Sequence, residues 1–149
     1  MVLSCESSFP QFGSFSESKE LPLIDDFGRG LWVHMVEIDT LHGEFVSLVN
    51  TLGTSSDEMF PPLFQELVVH TEGHFDFENK QMQRKRYPLM ATHRAEHDRV
   101  LSEMRRINDE VKRGEFEAAR YYLTELPAWF RLHVLSMDCA LSNFLNKKI

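Results

Sequence analysis

The chain has 149 residues, enough for one ordinary domain that buries roughly 70% of its unfolded surface without needing a staple. Its 16 Lys and Arg stand against 23 Asp and Glu, a formal charge of -7, which argues against nucleic acid and anionic membrane surfaces because both require a basic face. It has no apolar run of membrane-spanning length, and its two cysteines, Cys5 and Cys139, are too far apart and too few to suggest a disulfide framework.

Residues 1–20 are rich in Ser, Phe and Glu, lack a helical period, and read as an N-terminal arm. Phe9, Phe12 and Phe15 are expected to pack locally on the domain. The first eighteen residues carry no Lys or Arg and no apolar core of signal-peptide length, so a cytoplasmic location is expected. Residues 21–149 form the domain, although the arm-like character continues through Leu21-Pro22-Leu23-Ile24 to Trp32.

Four helical stretches follow. The first runs from about Glu37 to Leu52, with Ile38, Leu41, Phe45, Leu48 and Val49 on one stripe and Gly53 at the C-terminal cap. The second runs from about Phe60 to Lys85 and tolerates Pro61 and Pro62 in its first turn. Tyr87-Pro88 breaks the chain before the third, from about Leu89 to Arg113, which ends at Gly114. The fourth covers about Phe116 to Lys147, and Pro127 is expected either to kink it or to start a new helix before Trp129. Short connections between long helices predict an all-α, antiparallel up-down-up-down four-helix bundle.

The histidines are not scattered. His70, His74 and Glu78 step by four, as do His93 and His97, and residues four apart lie roughly 40° apart around a helix. Each set falls on the apolar face, where an unpartnered polar group costs on the order of 1–3 kcal/mol and an ionised carboxylate more. A metal would satisfy them. His42 on the first helix, and His133 and Asp138 on the fourth, give every helix at least one candidate ligand, which is how bundle cores build metal sites. The five-residue step from His133 to Asp138 is roughly 140° of rotation, so periodicity alone does not place both on one face.

The composite pattern Ile38-Asp39-x-x-His42, His74-Phe75-x-x-Glu78, His93-x-x-x-His97 and Trp129-x-x-x-His133-x-x-x-x-Asp138 resembles the hemerythrin family, and most of all its single-domain bacterial members. The resemblance extends from about residue 22 to residue 142. It implies two iron ions, one held by His93, His97 and His133 and the other by His42 and His74. Glu78 and Asp138 would bridge them together with an oxo or hydroxo group. Three imidazoles plus three bridges complete one iron, while two imidazoles plus three bridges leave the other a position for O2. The implied activity is reversible O2 binding, one electron coming from each iron, for storage, transport or delivery, with no catalytic side chain and no enzyme activity. A dry apolar wall of Leu, Ile, Phe and Trp129 would protect the bound ligand.

Around this set, His70 is expected to lie in the second shell or to line the O2 pocket, Asp39 to serve at the helix start or as acceptor to an imidazole, and His34 to sit in the arm. Asn79 should point away from the ligand face, and Cys139 should be inert packing. The partners expected are O2 and an O2-consuming client protein. The competing functions are O2 or redox sensing, oxidase or peroxidase chemistry, and iron storage; the carboxylate-rich Glu-x-x-His pairs of ferritin-like oxidative enzymes have no counterpart in the five imidazoles proposed here.

Overall fold

The computed structural model describes residues 22–25, 27 and 30–147; the Phe9, Phe12 and Phe15 packing expectation lies outside them. The apolar stripes read from the sequence become α1 (Val36–Gly53), α2 (Phe60–Arg84), α3 (Met90–Lys112) and α4 (Glu117–His133), followed by a π-helical turn (Val134–Asp138) and α5 (Cys139–Leu145). Among the described residues there is no strand. The expected fourth helix is thus one long rod in three parts. Its break falls not at Pro127, through which α4 continues, but at the π turn, seven residues later.

α1 packs against α2 and α4, and α3 against α2 and α4, so each rod touches its neighbours in chain order and the ring closes from α4 back to α1. The linkers leave room only for reversal of direction, which makes the bundle up-down-up-down. Gly114 ends the α3 corner at φ 83°, a left-handed conformation that other residues adopt only with strain, and its N–H reaches Val111 O at 2.9 Å. Gly53 matters for space: a Cβ there would come within 2.8 Å of the Leu23 side chain. The described part of the arm is pinned by Asn50, whose side chain both accepts from Ile24 N–H at 2.8 Å and donates to Ile24 O at 2.9 Å.

One end of the interior is apolar. Leu52, Phe60, Phe64, Ile107, Val111 and Leu123 are all buried there, each large side chain contributing about 1.5–3 kcal/mol relative to exposure. Alternating direction brings the early part of α1, the late part of α2, the early part of α3 and the end of α4 to a common level at the other end. His42, His74, His93 and His133 occupy those positions.

No described helix is long and apolar enough to cross a membrane. Cys139 corrects an expectation: it is disulfide-bonded, not an inert thiol. Spacing motifs report frameworks and give no signal for a single bridge.

Candidate metal centre

Seven side chains meet at that level: His42 from α1, His74 and Glu78 from α2, His93 and His97 from α3, His133 from the end of α4, and Asp138 from the π turn. None is more than 5% exposed. They fall into two groups, Glu78, His93, His97, His133 and Asp138 in one, and His42, His74, Glu78 and Asp138 in the other, the ligand atoms of each lying within 4.8 Å of one another.

Both carboxylates belong to both groups, and their oxygens divide between them. Asp138 turns Oδ1 to Nε2 of His93 and of His133, each 3.1 Å away, and Oδ2 to His42 Nε2 at 2.8 Å. Glu78 turns Oε1 to His93 Nε2 at 3.3 Å and His97 Nε2 at 3.4 Å, while Oε2 lies against His74 Nε2. A carboxylate that offers one oxygen to each of two neighbouring imidazole groups is disposed to bridge two cations. The π turn makes this possible: its wider i→i+5 winding returns Asp138 to the inner face that His133 occupies, which a regular helix would not do.

The donor atoms are poorly satisfied by one another. Nε2 of His74, His93, His97 and His133, both oxygens of Glu78 and Oδ1 of Asp138 are buried without a hydrogen-bond partner. Unmade partnerships of this kind are costly, and seven in one place mark a site that cations would complete. The electrostatics agree. Burial and the neighbouring Asp138 charge push the Glu78 carboxyl upward, yet His74 and His93 hold it far below the usual carboxylate range. Asp138 likewise stays well below that range against its own burial, chiefly through His133. Burial lowers His93, but Asp138 and Glu78 outweigh it and lift the imidazole to about 9; Glu78 similarly raises His74 against desolvation. Both shifts report the same local field, one that favours positive charge.

The surroundings differ between the two groups. Phe75 stacks on His97 with ring centroids 3.9 Å apart at 7°, and Trp129 stacks on His133 at 4.8 Å and 20°. Trp129 Nε1 donates to Glu96 Oε1 at 2.9 Å, and Arg99 grips the same carboxylate, which with its indole partner is held down to about 2. Beside His42 stands the edge of Phe130, which in turn stacks on Phe45. Trp129 therefore braces the three-imidazole group, and Phe130 supplies the apolar wall at the two-imidazole group.

His70 lies outside both groups. Its Nε2 pairs with Glu44 Oε2 at 2.9 Å, its ring stands 6.2 Å from that of His74, and it lines a groove of about 520 Å³ between α1 and α2 with Glu44, Ser47, Leu48 and Val69. Burial lowers its pKa. Asp39 is buried, and its partner is the Val33 N–H at 2.8 Å, which fixes how the chain enters α1. His34 is exposed.

The sequence reading missed three neighbours. Asn79 does not point away: its Oδ1 lies 2.9 Å from His97 Nδ1, where it accepts the ring N–H. Glu96 and Phe130 carry no motif of their own, although each stands next to or one turn from a candidate ligand on its helix.

A family model described as the hemerythrin HHE cation binding domain matches residues 33–142. The chain is 34% identical over 110 residues to a bacteriohemerythrin of Ralstonia nicotianae, covering 74% of this chain and 80% of that one. It is 30% identical over 107 residues to a bacteriohemerythrin of Aquifex aeolicus, covering 68% and 82%. Its fold is similar to a crystal structure of wild-type hemerythrin, with a TM-score of 0.70 at 23% identity over 75% of this chain and 89% of that one. Carried by a match through most of its length and by two relatives of the same name, the chain belongs to the hemerythrin family, with the bacteriohemerythrins.

Proposed function

We propose that this protein binds O2 reversibly at a non-haem pair of iron ions, for storage, transport or delivery. The observation that carries this reading is the division of donors: three imidazoles on one side, two on the other, and two carboxylates each turning an oxygen to both. His93, His97 and His133 would hold one ion, His42 and His74 the other, and Glu78 and Asp138 would bridge. When bound, the ion pair supplies the one-electron-per-ion chemistry that reversible O2 uptake requires.

The remaining work falls to the protein. With one imidazole fewer, the His42 and His74 side keeps room for a small ligand beside the Phe130 edge. Full burial of Glu78 and Asp138 and the Phe45–Phe130 stack exclude water, which favours return of O2 over irreversible oxidation. No side chain is required as acid or base. Five imidazoles in place of a carboxylate-rich set distinguish the site from those of ferritin-like oxidative enzymes.

Protein purified from iron-supplied cells should carry about two irons per chain, as expected for two metal groups. Reduced under argon and titrated with O2, it should develop a visible ligand-to-iron charge-transfer band that disappears when O2 is removed. Fully loaded protein without such a reversible band would sink the proposal, and steady consumption of a reductant well above free-iron controls would favour an oxidase instead.

A further inference from the structure

We propose that Asn79 is the positioning residue that fixes the tautomer of His97 and sets its strength as a donor, and so tunes one metal of the pair separately from the other. The inference rests on the reading of the site as a metal centre.

Nδ1 of His42, His74, His93 and His133 is in each case buried without a hydrogen-bond partner. His97 differs. Its Nδ1 faces Asn79 Oδ1 at 2.9 Å, and the opposite nitrogen, Nε2, faces the shared carboxylate oxygen of Glu78 at 3.4 Å. An amide oxygen can only accept, so the proton of the neutral ring sits on Nδ1 and the lone pair is left on Nε2, the atom that faces the site. Phe75, stacked at 3.9 Å and 7°, fixes the plane of the same ring. His97 is thus held on its face by one residue and on its edge by another, before any metal arrives. Pre-orientation of this kind lowers the cost of binding, and polarisation of the N–H raises the basicity of the ligating nitrogen.

The residue type matters. Asn offers a neutral acceptor, weaker than a carboxylate, so His97 is oriented without being pushed far toward imidazolate character. A neutral acceptor leaves the ferrous state of the adjacent metal less disfavoured than an anionic one would. Because Asn79 directly follows the bridging Glu78 on α2, the same stretch of helix places both the bridge and the acceptor.

Two substitutions separate orientation from electronics. Asn79→Leu keeps the volume and removes the acceptor; Asn79→Asp keeps the acceptor and adds charge. In metal-free protein with ¹⁵N-labelled histidine, the His97 Nδ1–H should be the most protected ring N–H against solvent exchange, with that protection lost in Asn79→Leu and kept in Asn79→Asp. In iron-loaded protein, Asn79→Leu should lose about 10- to 100-fold in metal affinity. The reduction potential should rise in Asn79→Leu and fall in Asn79→Asp. A merely structural role would shift both variants the same way. Unprotected Nδ1–H in the unsubstituted protein, or equal potentials across the three proteins, would overturn the proposal. Should the unsubstituted protein fail to hold iron while His97 Nδ1–H remains protected, the functional reading fails and the assignment of the His97 tautomer stands.

Discussion

Glu96 binds two residues at the edge of the site, accepting from the Trp129 indole and from Arg99, and directly precedes His97. Arg99, the largest influence, together with Trp129 outweighs burial, which pushes the carboxyl up, and leaves it at about 2, below the ordinary 4.5. A carboxyl depressed on folding contributes stability that is present above the unfolded value and is lost as pH falls through the folded one. Glu96→Gln should therefore destabilise metal-free protein at neutral pH by less than about 1 kcal/mol, since the group is partly exposed and screened by solvent, and the penalty should shrink as pH falls from about 4.5 toward 2. Urea unfolding of the two proteins at several pH values reads this directly, because Glu78 and Asp138 titrate in both and cancel in the difference; a penalty that does not change with pH would contradict it. His70 supports a second prediction at this scale. It pairs with Glu44 and belongs to neither donor group, so His70→Ala should leave metal stoichiometry unchanged, whereas His74→Ala should lose about one metal per chain. Metal analysis of the two variants side by side decides it, and loss of metal from His70→Ala would make His70 a ligand.

Most of the site was legible because helices convert spacing into direction: His74 with Glu78, and His93 with His97, announce shared faces, and the alternation of the bundle explains why early positions on α1 and α3 meet late positions on α2 and α4. Asp138 was legible only through family resemblance. Its five-residue distance from His133 contradicts α-helical periodicity, and the contradiction is resolved by a π turn that no propensity signals. Pro127, the conspicuous breaker, proved the wrong place to look, since α4 passes through it. Asn79 was misread for another reason: a residue beside the ligand face of one helix can still reach the edge of a ring on the next. If the π turn exists to aim Asp138, removing its extra residue should restore an ordinary helix without moving the rest of the rod. Deletion of Ser136, which is exposed, leaves the Asp carboxylate four residues from His133, on the same face of an ordinary helix, so the variant should preserve far-UV helix content, the packing of Leu141 and metal stoichiometry. Loss of metal from a helical deletion variant would show that the π turn does more than compensate for the five-residue step between His133 and Asp138.

At the scale of the whole molecule, the centre takes the place that apolar packing holds elsewhere in a bundle. Leu52, Phe60 and Phe64 close one end, while the other end buries the seven polar side chains of the candidate centre, whose mutual contacts leave most donor atoms unpartnered. Metal that binds only the folded state stabilises it, by about 2.7 kcal/mol at a free concentration one hundred times Kd, or roughly 5–10 °C in Tm for a chain of this size. The pH dependence of that gain has a definite sign. In metal-free protein, His93 is raised from 6.5 to about 9 because Asp138 and Glu78 outweigh its burial, so its protonated form contributes stability that is complete below about 6.5 and lost as pH rises through 9. Metal requires the neutral ring and displaces that proton. Raising pH from about 6 to 9 therefore weakens the metal-free protein and strengthens metal binding, and the gap between their Tm values should widen steadily across that window. At lower pH protons compete with the metal for imidazole donors, and the gap should close as metal is released. Thermal unfolding under argon, with and without ferrous iron, measures both curves; a gap that narrows with rising pH, or iron retained at about pH 4, would be incompatible with five imidazole ligands surrounding two shared carboxylates.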